Sequence, residues 1–273
     1  MTARRQLRVG VALGAGSARG WAHIGVLQAL QSAGIVPEIV CGTSIGALVG
    51  AIYAAGRLDA FEQWVKALTW RRVVGYFDLS FSGGILKGDR LFSDLREHFI
   101  TGDIGELEKP FAAVATDLRS GREVWLREGP VAEAVRASIA TPGLFTPSPG
   151  EGRVLVDGAL VNPVPVSVCR ALNADFVIAV DLSSSVAERF VKLGDGRRAS
   201  SPGVVETVIA SIYIMSVRIT RSRMAGDPGE AVIQPRLGEL GLLDYHRGEE
   251  AIAEGRASTE AMLPQIRRLL DEA

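Results

Sequence analysis

Ser44 lies in CGTSIGA, residues 41–47, where a serine stands between two glycines at the spacing GxSxG. A serine at that spacing, placed where a strand turns sharply into a helix, can act as a nucleophile because the turn holds its hydroxyl clear of the sheet. Gly42 and Gly46 suit such a turn, since neither brings a side chain against the strained serine backbone. The alternative is a serine that only caps the first turn of a buried helix.

A second glycine-rich segment, GAGSARG at residues 14–20, could hold negative charge. It follows the apolar run LRVGVAL and precedes WAHIGVLQALQSAG, whose apolar residues recur at helical spacing. Amides at such a helix start bind anions, including the oxyanion of an acyl transfer. A tight turn without function is an alternative. A dinucleotide site is disfavoured, because Arg19 holds the place of the third glycine of GxGxxG and Gly20 comes one residue late.

A serine nucleophile needs a base, and the sequence offers three histidines and one aspartate at a strand end. His23, His98 and His246 are interpreted as packed or surface residues, although His246 has the place in chain order that an α/β-hydrolase requires. Asp157 ends the apolar run RVLV and precedes Gly158. Burial beside a serine would raise the pKa of Asp157 and make it a stronger base. The alternative is an ordinary Asp-Gly turn.

The elements that must position these residues follow from the hydrophobic pattern. Two successive strand–loop–helix units at the start predict an α/β fold with a mainly parallel sheet, and the order in the middle predicts some antiparallel edges. Strands are predicted at 7–13, 37–41, 111–116, 122–126, 153–156 and 175–181, and helices at about 130–140, 165–173 and 204–224. The polar stretch 183–203 predicts a mobile loop, and 204–273 a helical C-terminal part. Its first helix is interpreted as an ordinary core helix, with contact with an anionic membrane or a subunit interface as the alternatives.

Composition limits the classes of function. A chain of 273 residues that is 47% hydrophobic can bury one core, so residues 1–273 are predicted to form a single domain. A formal charge of −1 predicts no nucleic-acid partner. Cys41 and Cys169 fit buried thiols in a reducing compartment, and no metal site or cofactor is predicted. No apolar run reaches membrane-spanning length and no export signal is found, which predicts a cytoplasmic protein and leaves peripheral contact with the inner membrane surface open.

Four segments in this order resemble the patatin-like phospholipase family, most closely its bacterial branch related to the catalytic domain of neuropathy target esterase. The segments are GAGSARGWAHIGVL, GTSIGALVGA, ASIATPGLFTP at 137–147 and VDGALVNPVPVSV. The resemblance runs over nearly the whole chain. It implies a three-layer α/β/α fold and a lipid or other acyl ester as the substrate.

The resemblance also implies roles for individual residues. Ser44 and Asp157 would form a catalytic dyad without a histidine, and amides of the glycine-rich loop would form the oxyanion hole. The best candidates for those amides are Ala15, Gly16 and Ser17, although Ala15 and Ser17 interrupt the family's usual run of glycines. The supporting residues would be Gly14, Arg19, Gly20, Gly42, Gly46 and Gly158, with Arg19 bracing the loop.

Two further segments are interpreted as part of substrate access. Residues 76–90 mix aromatic, glycine and basic residues, which suits a mouth over an acyl pocket, and Ile139, Leu144 and Phe145 are expected near the site. All of these residues have core or loop packing as an alternative. A non-catalytic, lipid-responsive regulatory protein on the same fold is the alternative function. The sequence makes no prediction of the oligomeric state.

Overall fold

The computed structural model describes residues 7–76, 88–150, 152–183 and 204–273, in which eight strands form one mixed sheet. The strands are β1 (Val9–Leu13), β2 (Ile39–Thr43), β3 (Phe111–Asp117), β4 (Glu123–Leu126), β5 (Ser148–Gly150), β6 (Arg153–Asp157), β7 (Phe176–Val180) and β8 (Ala231–Ile233). The α-helices are α1 (Ala22–Ser32), α2 (Ile45–Ala54), α3 (Leu58–Lys66), α4 (Trp70–Tyr76), α5 (Asp89–His98), α6 (Val131–Ser138), α7 (Val166–Ala171), α8 (Val204–Gly226) and α9 (Gly248–Glu272). Most of the predicted loop at 183–203 and of the predicted mouth at 76–90 lies outside the described residues.

The strand order is β5-β6-β3-β2-β1-β7-β8, and β4 also pairs with β3. The pairs of β1 with β2 and β7, of β2 with β3, and of β7 with β8 are parallel. The pairs of β3 with β4 and β6, and of β5 with β6, are antiparallel. The predicted mainly parallel sheet with antiparallel pairs is therefore confirmed.

The register of this sheet brings the two glycine-containing turns together. Leu13 at the end of β1 is the partner of Gly42 in β2, so the loop after β1 and the turn after β2 leave the same edge. Thr43 pairs with Val114 of β3, and the next residue of β3, Ala115, pairs with Asp157. Residues 43 and 157 are therefore at nearly the same level, two strands apart.

The core lies on both faces of the sheet because side chains alternate along each strand. Val11 and Leu13 of β1 pack into a cluster with α1, α2, α3 and α9. Ala12 packs on the opposite face, in a cluster that includes Cys41 of β2 and Cys169 of α7. Helices thus cover both faces, which gives the three-layer α/β/α arrangement.

Helices α1 and α9 cross at a pair of glycines. A Cβ atom added to Gly25 would lie 1.9 Å from the carbonyl oxygen of Ile252, and one added to Gly255 would lie 2.0 Å from that of Ala22. Only glycine allows this backbone contact. The crossing fixes the C-terminal helix against the helix that follows the first glycine-rich loop.

Two features differ from the sequence-based expectations. The strands β5 and β8 have three residues each, too few to show a hydrophobic period, and they are fixed by pairing with β6 and β7. The predicted helical region after β8 forms the single helix α9, which continues through Pro264. Helix α8 buries Val217 and Thr220 as a core helix does, but the apolar stripe predicted for it is buried only in part, because Val208, Ile214 and Met215 are 39–50% exposed.

Within the described ranges, no helix combines the length and the apolar character that crossing a bilayer requires. Both cysteines are buried and form no disulfide.

Candidate active site

Ser44 occupies the turn between β2 and α2 in a backbone conformation that glycine normally takes. Its φ is 57° and its ψ is −126°, and such a positive φ is strained for a residue with a side chain. The neighbouring glycines make the turn sterically possible. A Cβ atom on Gly42 would lie 2.3 Å from the Gly46 carbonyl oxygen, and one on Gly46 would lie 2.2 Å from that of Leu13.

A buried serine on α6 holds this turn in place. The Ser44 amide donates to Ser138 Oγ at 2.9 Å, and Ser138 Oγ donates to the Val114 carbonyl oxygen of β3 at 2.6 Å. Ser138 has no exposed surface. Sequence analysis missed Ser138, although it lies in the segment ASIATPGLFTP, because nothing local to it signals that its partners are the turn after β2 and a carbonyl group of β3.

The Ser44 side chain is hydrogen-bonded to Asp157 at the end of β6. Ser44 Oγ donates to Asp157 Oδ2 at 2.7 Å, and the two residues are 6% and 2% exposed. The same oxygen accepts a hydrogen bond from Thr141 Oγ1 at 2.6 Å, and Asp157 Oδ1 accepts one from the Ala159 amide at 2.9 Å. Burial raises the pKa of Asp157, and the three hydrogen bonds oppose that rise. The net pKa is raised, which makes the carboxylate a better proton acceptor.

Thr141 was also missed by sequence analysis, and it supplies a test of the carboxylate. Thr141→Val removes a hydrogen bond that stabilises the charged form of Asp157, so the pKa of Asp157 should rise further. If Asp157 is the base, activity is lost as pH falls through its pKa. The acid limb of the kcat/KM–pH profile should therefore move to higher pH in this variant. The exposed Thr101→Val is the matched control and should keep the wild-type limb; an unmoved limb in Thr141→Val would exclude this role for Asp157.

The loop after β1 places two backbone amides beside the cavity that Ser44 lines. Gly14, Ala15 and Ala18 donate their amides to the carbonyl oxygens of Val180, Pro163 and Leu242 at 2.9–3.1 Å. Because the Ala15 amide already donates to a carbonyl oxygen, it is not available as an oxyanion-hole donor, and this part of the prediction is wrong. The amides of the other two, Gly16 and Ser17, donate to no acceptor among the described residues.

The supporting residues of the two turns make close backbone or side-chain contacts. Arg19 is buried and donates through Nε to the Leu240 carbonyl oxygen at 2.9 Å and through Nη1 to the Tyr213 hydroxyl at 3.0 Å. A Cβ atom added to Gly20 would lie 2.2 Å from the Ile45 side chain, and one added to Gly158 would lie 2.2 Å from the Val114 carbonyl oxygen. Glycine at these two positions lets the loop and the Asp157 turn approach α2 and β3.

All three histidines are described, and none has a hydrogen bond to Ser44. His23 is fully buried, and its Nε2 lies 2.7 Å from the Gly14 carbonyl oxygen. His98 is exposed and pairs with Asp94, and the ring of His246 packs edge-on against that of Trp70.

His23 makes the stability of the protein depend on pH. Burial lowers its pKa from 6.5 to about 4, so between these values an unfolded chain binds a proton that the folded chain does not. Stability should thus fall as pH falls from 6.5 to about 4, by roughly 3 kcal/mol in total. His23→Gln retains a donor for Gly14 but does not titrate. The unfolding free energies of wild type and variant, measured across this range, should differ increasingly towards low pH; parallel curves would contradict a buried neutral histidine.

Two adjoining apolar cavities open beside Ser44. The first is lined by Ser44, Asp157, Thr141 and the loop residues 15–17, and otherwise mainly by apolar residues that include Leu144, Ile209, Ile212 and Leu243. The second is lined almost entirely by apolar and aromatic residues, which include Trp64, Leu68, Val73 and Phe92. Ile45, Ile139, Phe145 and Tyr245 line both cavities. Among the described residues, no three His, Cys, Asp or Glu side chains form a group that could hold a metal ion.

Comparison with known proteins identifies the family. The family model described as patatin-like phospholipase matches residues 11–170, which is more than half of the chain. The chain belongs to the patatin-like phospholipase family. The matched range contains the glycine-rich loop, the Ser44 turn and Asp157, and it ends before β7, β8, α8 and α9.

Relatives of known name support the same family. An NTE family protein of Mycobacterium tuberculosis is 45% identical over 181 residues, which are 66% of this chain and 50% of that protein. Human patatin-like phospholipase domain-containing protein 6 is 32% identical over 195 residues, 68% of this chain and 14% of that protein. Lysophospholipase NTE1 of Pyricularia oryzae is 29% identical over 278 residues, 90% of this chain and 18% of that protein. The similarity thus spans half or less of the length of these relatives.

A solved structure shows the same fold. VipD from Legionella pneumophila matches with a TM-score of 0.60 at 15% identity, over 98% of this chain and 67% of that one. The mixed, mostly parallel sheet with helices on its faces is therefore the patatin fold.

Proposed function

We propose that the protein hydrolyses carboxylic ester bonds of lipids by acyl transfer through Ser44. The observation that carries this proposal is the 2.7 Å hydrogen bond from Ser44 Oγ to the buried carboxylate of Asp157. A serine hydroxyl is a weak nucleophile until a base takes its proton, and Asp157 is the titratable group in position to take it. The raised pKa of Asp157 adds to its strength as that base.

The reaction has two steps. In the first, Ser44 Oγ attacks the ester carbonyl carbon while its proton passes to Asp157. The amides of Gly16 and Ser17 stabilise the negative charge on the carbonyl oxygen. The ester bond then breaks, the leaving alcohol takes the proton from Asp157, and the acyl group remains on Ser44. In the second, a water molecule gives a proton to Asp157 and attacks the acyl-enzyme, which releases a carboxylic acid and returns the proton to Ser44.

A lipid acyl group suits the surroundings of Ser44. The cavity walls are mainly aliphatic and aromatic, and burial of a hydrocarbon chain there is favourable by about 0.8 kcal/mol for each CH₂ group. The relatives named above include a lysophospholipase and a phospholipase domain-containing protein. These names support phospholipids or lysophospholipids as the first substrates to test.

The test is turnover of a panel of acyl esters that includes p-nitrophenyl esters of increasing chain length, a phospholipid, a lysophospholipid and a diacylglycerol. We expect hydrolysis of at least one, and stoichiometric labelling by an active-site phosphonate at Ser44, located by peptide mass spectrometry. Saturable lipid binding without turnover or labelling would instead support the regulatory alternative.

A further inference from the structure

The segment 237–247, between β8 and α9, lies outside the range that the family model matches but completes the wall of the cavity. We call this segment the C-terminal brace. Its residues Leu242, Leu243 and Tyr245 line the cavity beside Ser44. The brace lies more than 200 residues after the glycine-rich loop in the sequence, so the glycine-rich motif does not predict it.

Four hydrogen bonds join the brace to residues 17–21. The Leu242 carbonyl oxygen accepts from the Ala18 amide at 3.1 Å, and the Leu240 carbonyl oxygen accepts from Arg19 Nε at 2.9 Å. Trp21 Nε1 donates to the Tyr245 carbonyl oxygen at 3.1 Å. The fourth bond joins two side chains, since Ser17 Oγ and the Tyr245 hydroxyl lie 2.7 Å apart.

Ser17 is the residue of this loop whose backbone conformation requires stabilisation by such a hydrogen bond. Its φ is 52°, in the left-handed region that is strained for a residue with a side chain. Its amide and that of Gly16 are the two proposed oxyanion donors, and a rotation of the Ser17 backbone would turn its amide away from the substrate. The side-chain hydrogen bond between Ser17 and Tyr245 offsets part of this strain.

Tyr245 is well placed to supply the bond. Its ring packs edge-on against Trp21 with centroids 5.8 Å apart, and Trp21 also holds its carbonyl oxygen. Burial raises the pKa of its hydroxyl to about 12, so the group stays protonated at any working pH.

We propose that Tyr245 is a positioning residue that holds Ser17 in its left-handed conformation and thereby aims the oxyanion-hole amides. The proposal rests on the proposed acyl transfer at Ser44. Because the effect passes through Ser17, it should appear in kcat rather than in KM, and it should disappear when the Ser17 hydroxyl is absent.

The experiment is a double-mutant cycle on a p-nitrophenyl ester that the wild type hydrolyses. Tyr245→Phe and Ser17→Ala should each lower kcat about five- to tenfold with KM within about twofold, since each removes the same hydrogen bond. The double variant should be no slower than the slower single variant. Tyr53→Phe is the matched control: its buried hydroxyl has no partner among the described residues and it lines neither cavity. That variant should keep wild-type kcat.

Unfolding midpoints are measured on the same proteins to separate positioning from loss of structure. Independent effects of the two substitutions, which multiply in the double variant, would overturn the proposal, and so would wild-type kcat in Tyr245→Phe. If Tyr245→Phe does not fold, Ser17→Ala decides alone, because a wild-type kcat in that variant also overturns it. Failure of the wild type on the whole ester panel would be recognised separately as failure of the proposed function, and the positioning role would fall with it.

Discussion

Ser44→Ala is expected to lower kcat for ester hydrolysis by about a thousandfold or more and to abolish labelling by the phosphonate. The substitution removes the attacking oxygen and leaves the cavity, the amides of the loop and Asp157 in place. Any residual rate would come from substrate binding and the oxyanion hole alone. Pre-steady-state measurement of released alcohol, with the phosphonate label counted by mass spectrometry, gives both quantities on the same protein.

The fold should tolerate this change. Alanine at position 44 meets the same strain at φ 57° as serine does, and the Ser44 amide keeps its hydrogen bond to Ser138. The matched control is Ser32→Ala, an exposed serine at the end of α1 that lines neither cavity. Full turnover in Ser44→Ala, with an unchanged unfolding midpoint, would place the nucleophile elsewhere.

Asp157→Asn should have an effect of similar size, about a thousandfold or more in kcat. With its oxygen accepting from the Ala159 amide, the new amide group would point its nitrogen at Ser44 and Thr141, whose hydroxyls can turn to accept from it. The serine would then receive a hydrogen bond where it had donated one. It would have no acceptor for its proton during attack.

Stability separates this catalytic effect from a structural one. Burial opposes the charge of Asp157, so its neutral replacement should unfold at the same temperature as the wild type or a higher one. Asp117→Asn, at the last residue of β3, is the control for the same chemical change outside the cavity. A variant Asp157→Asn that hydrolyses esters within tenfold of the wild type would remove the carboxylate from the mechanism.

Local sequence patterns were sufficient to predict much of the fold. The turns after β1 and β2 were predictable because a glycine cluster between an apolar run and a helical pattern has few other structures available. The sequence singled out Asp157 as a charged residue that ends a buried run, although the same pattern fits an ordinary Asp-Gly turn. The Ser44 to Asp157 contact then depends on the pairing of β6 with β3, which the sequence signalled only through a resemblance to a family.

The remaining parts of the site come from pairings that no local pattern records. The carbonyl groups of Pro163 and Leu242, which lie far along the chain, accept hydrogen bonds from two amides of the loop. These pairings decide which of the other amides can donate to a ligand. Ser138 and Thr141 carry ordinary hydroxyls, and their roles arise from where α6 ends relative to β3 and β6. Tyr245 reaches Ser17 only because α9 is fixed against α1.

The position of β7 in the sheet limits how far the protein can be truncated from its C-terminal side. A fragment that stopped at residue 170, where the family signature ends, would lack the strand that pairs with β1 on the side opposite β2. Strand β1, VGVAL, would then be an apolar edge strand, and its unpaired peptide groups could form hydrogen bonds with another molecule. Such a truncation should precipitate or associate, so we expect the smallest fragment that folds alone to extend beyond the range that the family model matches.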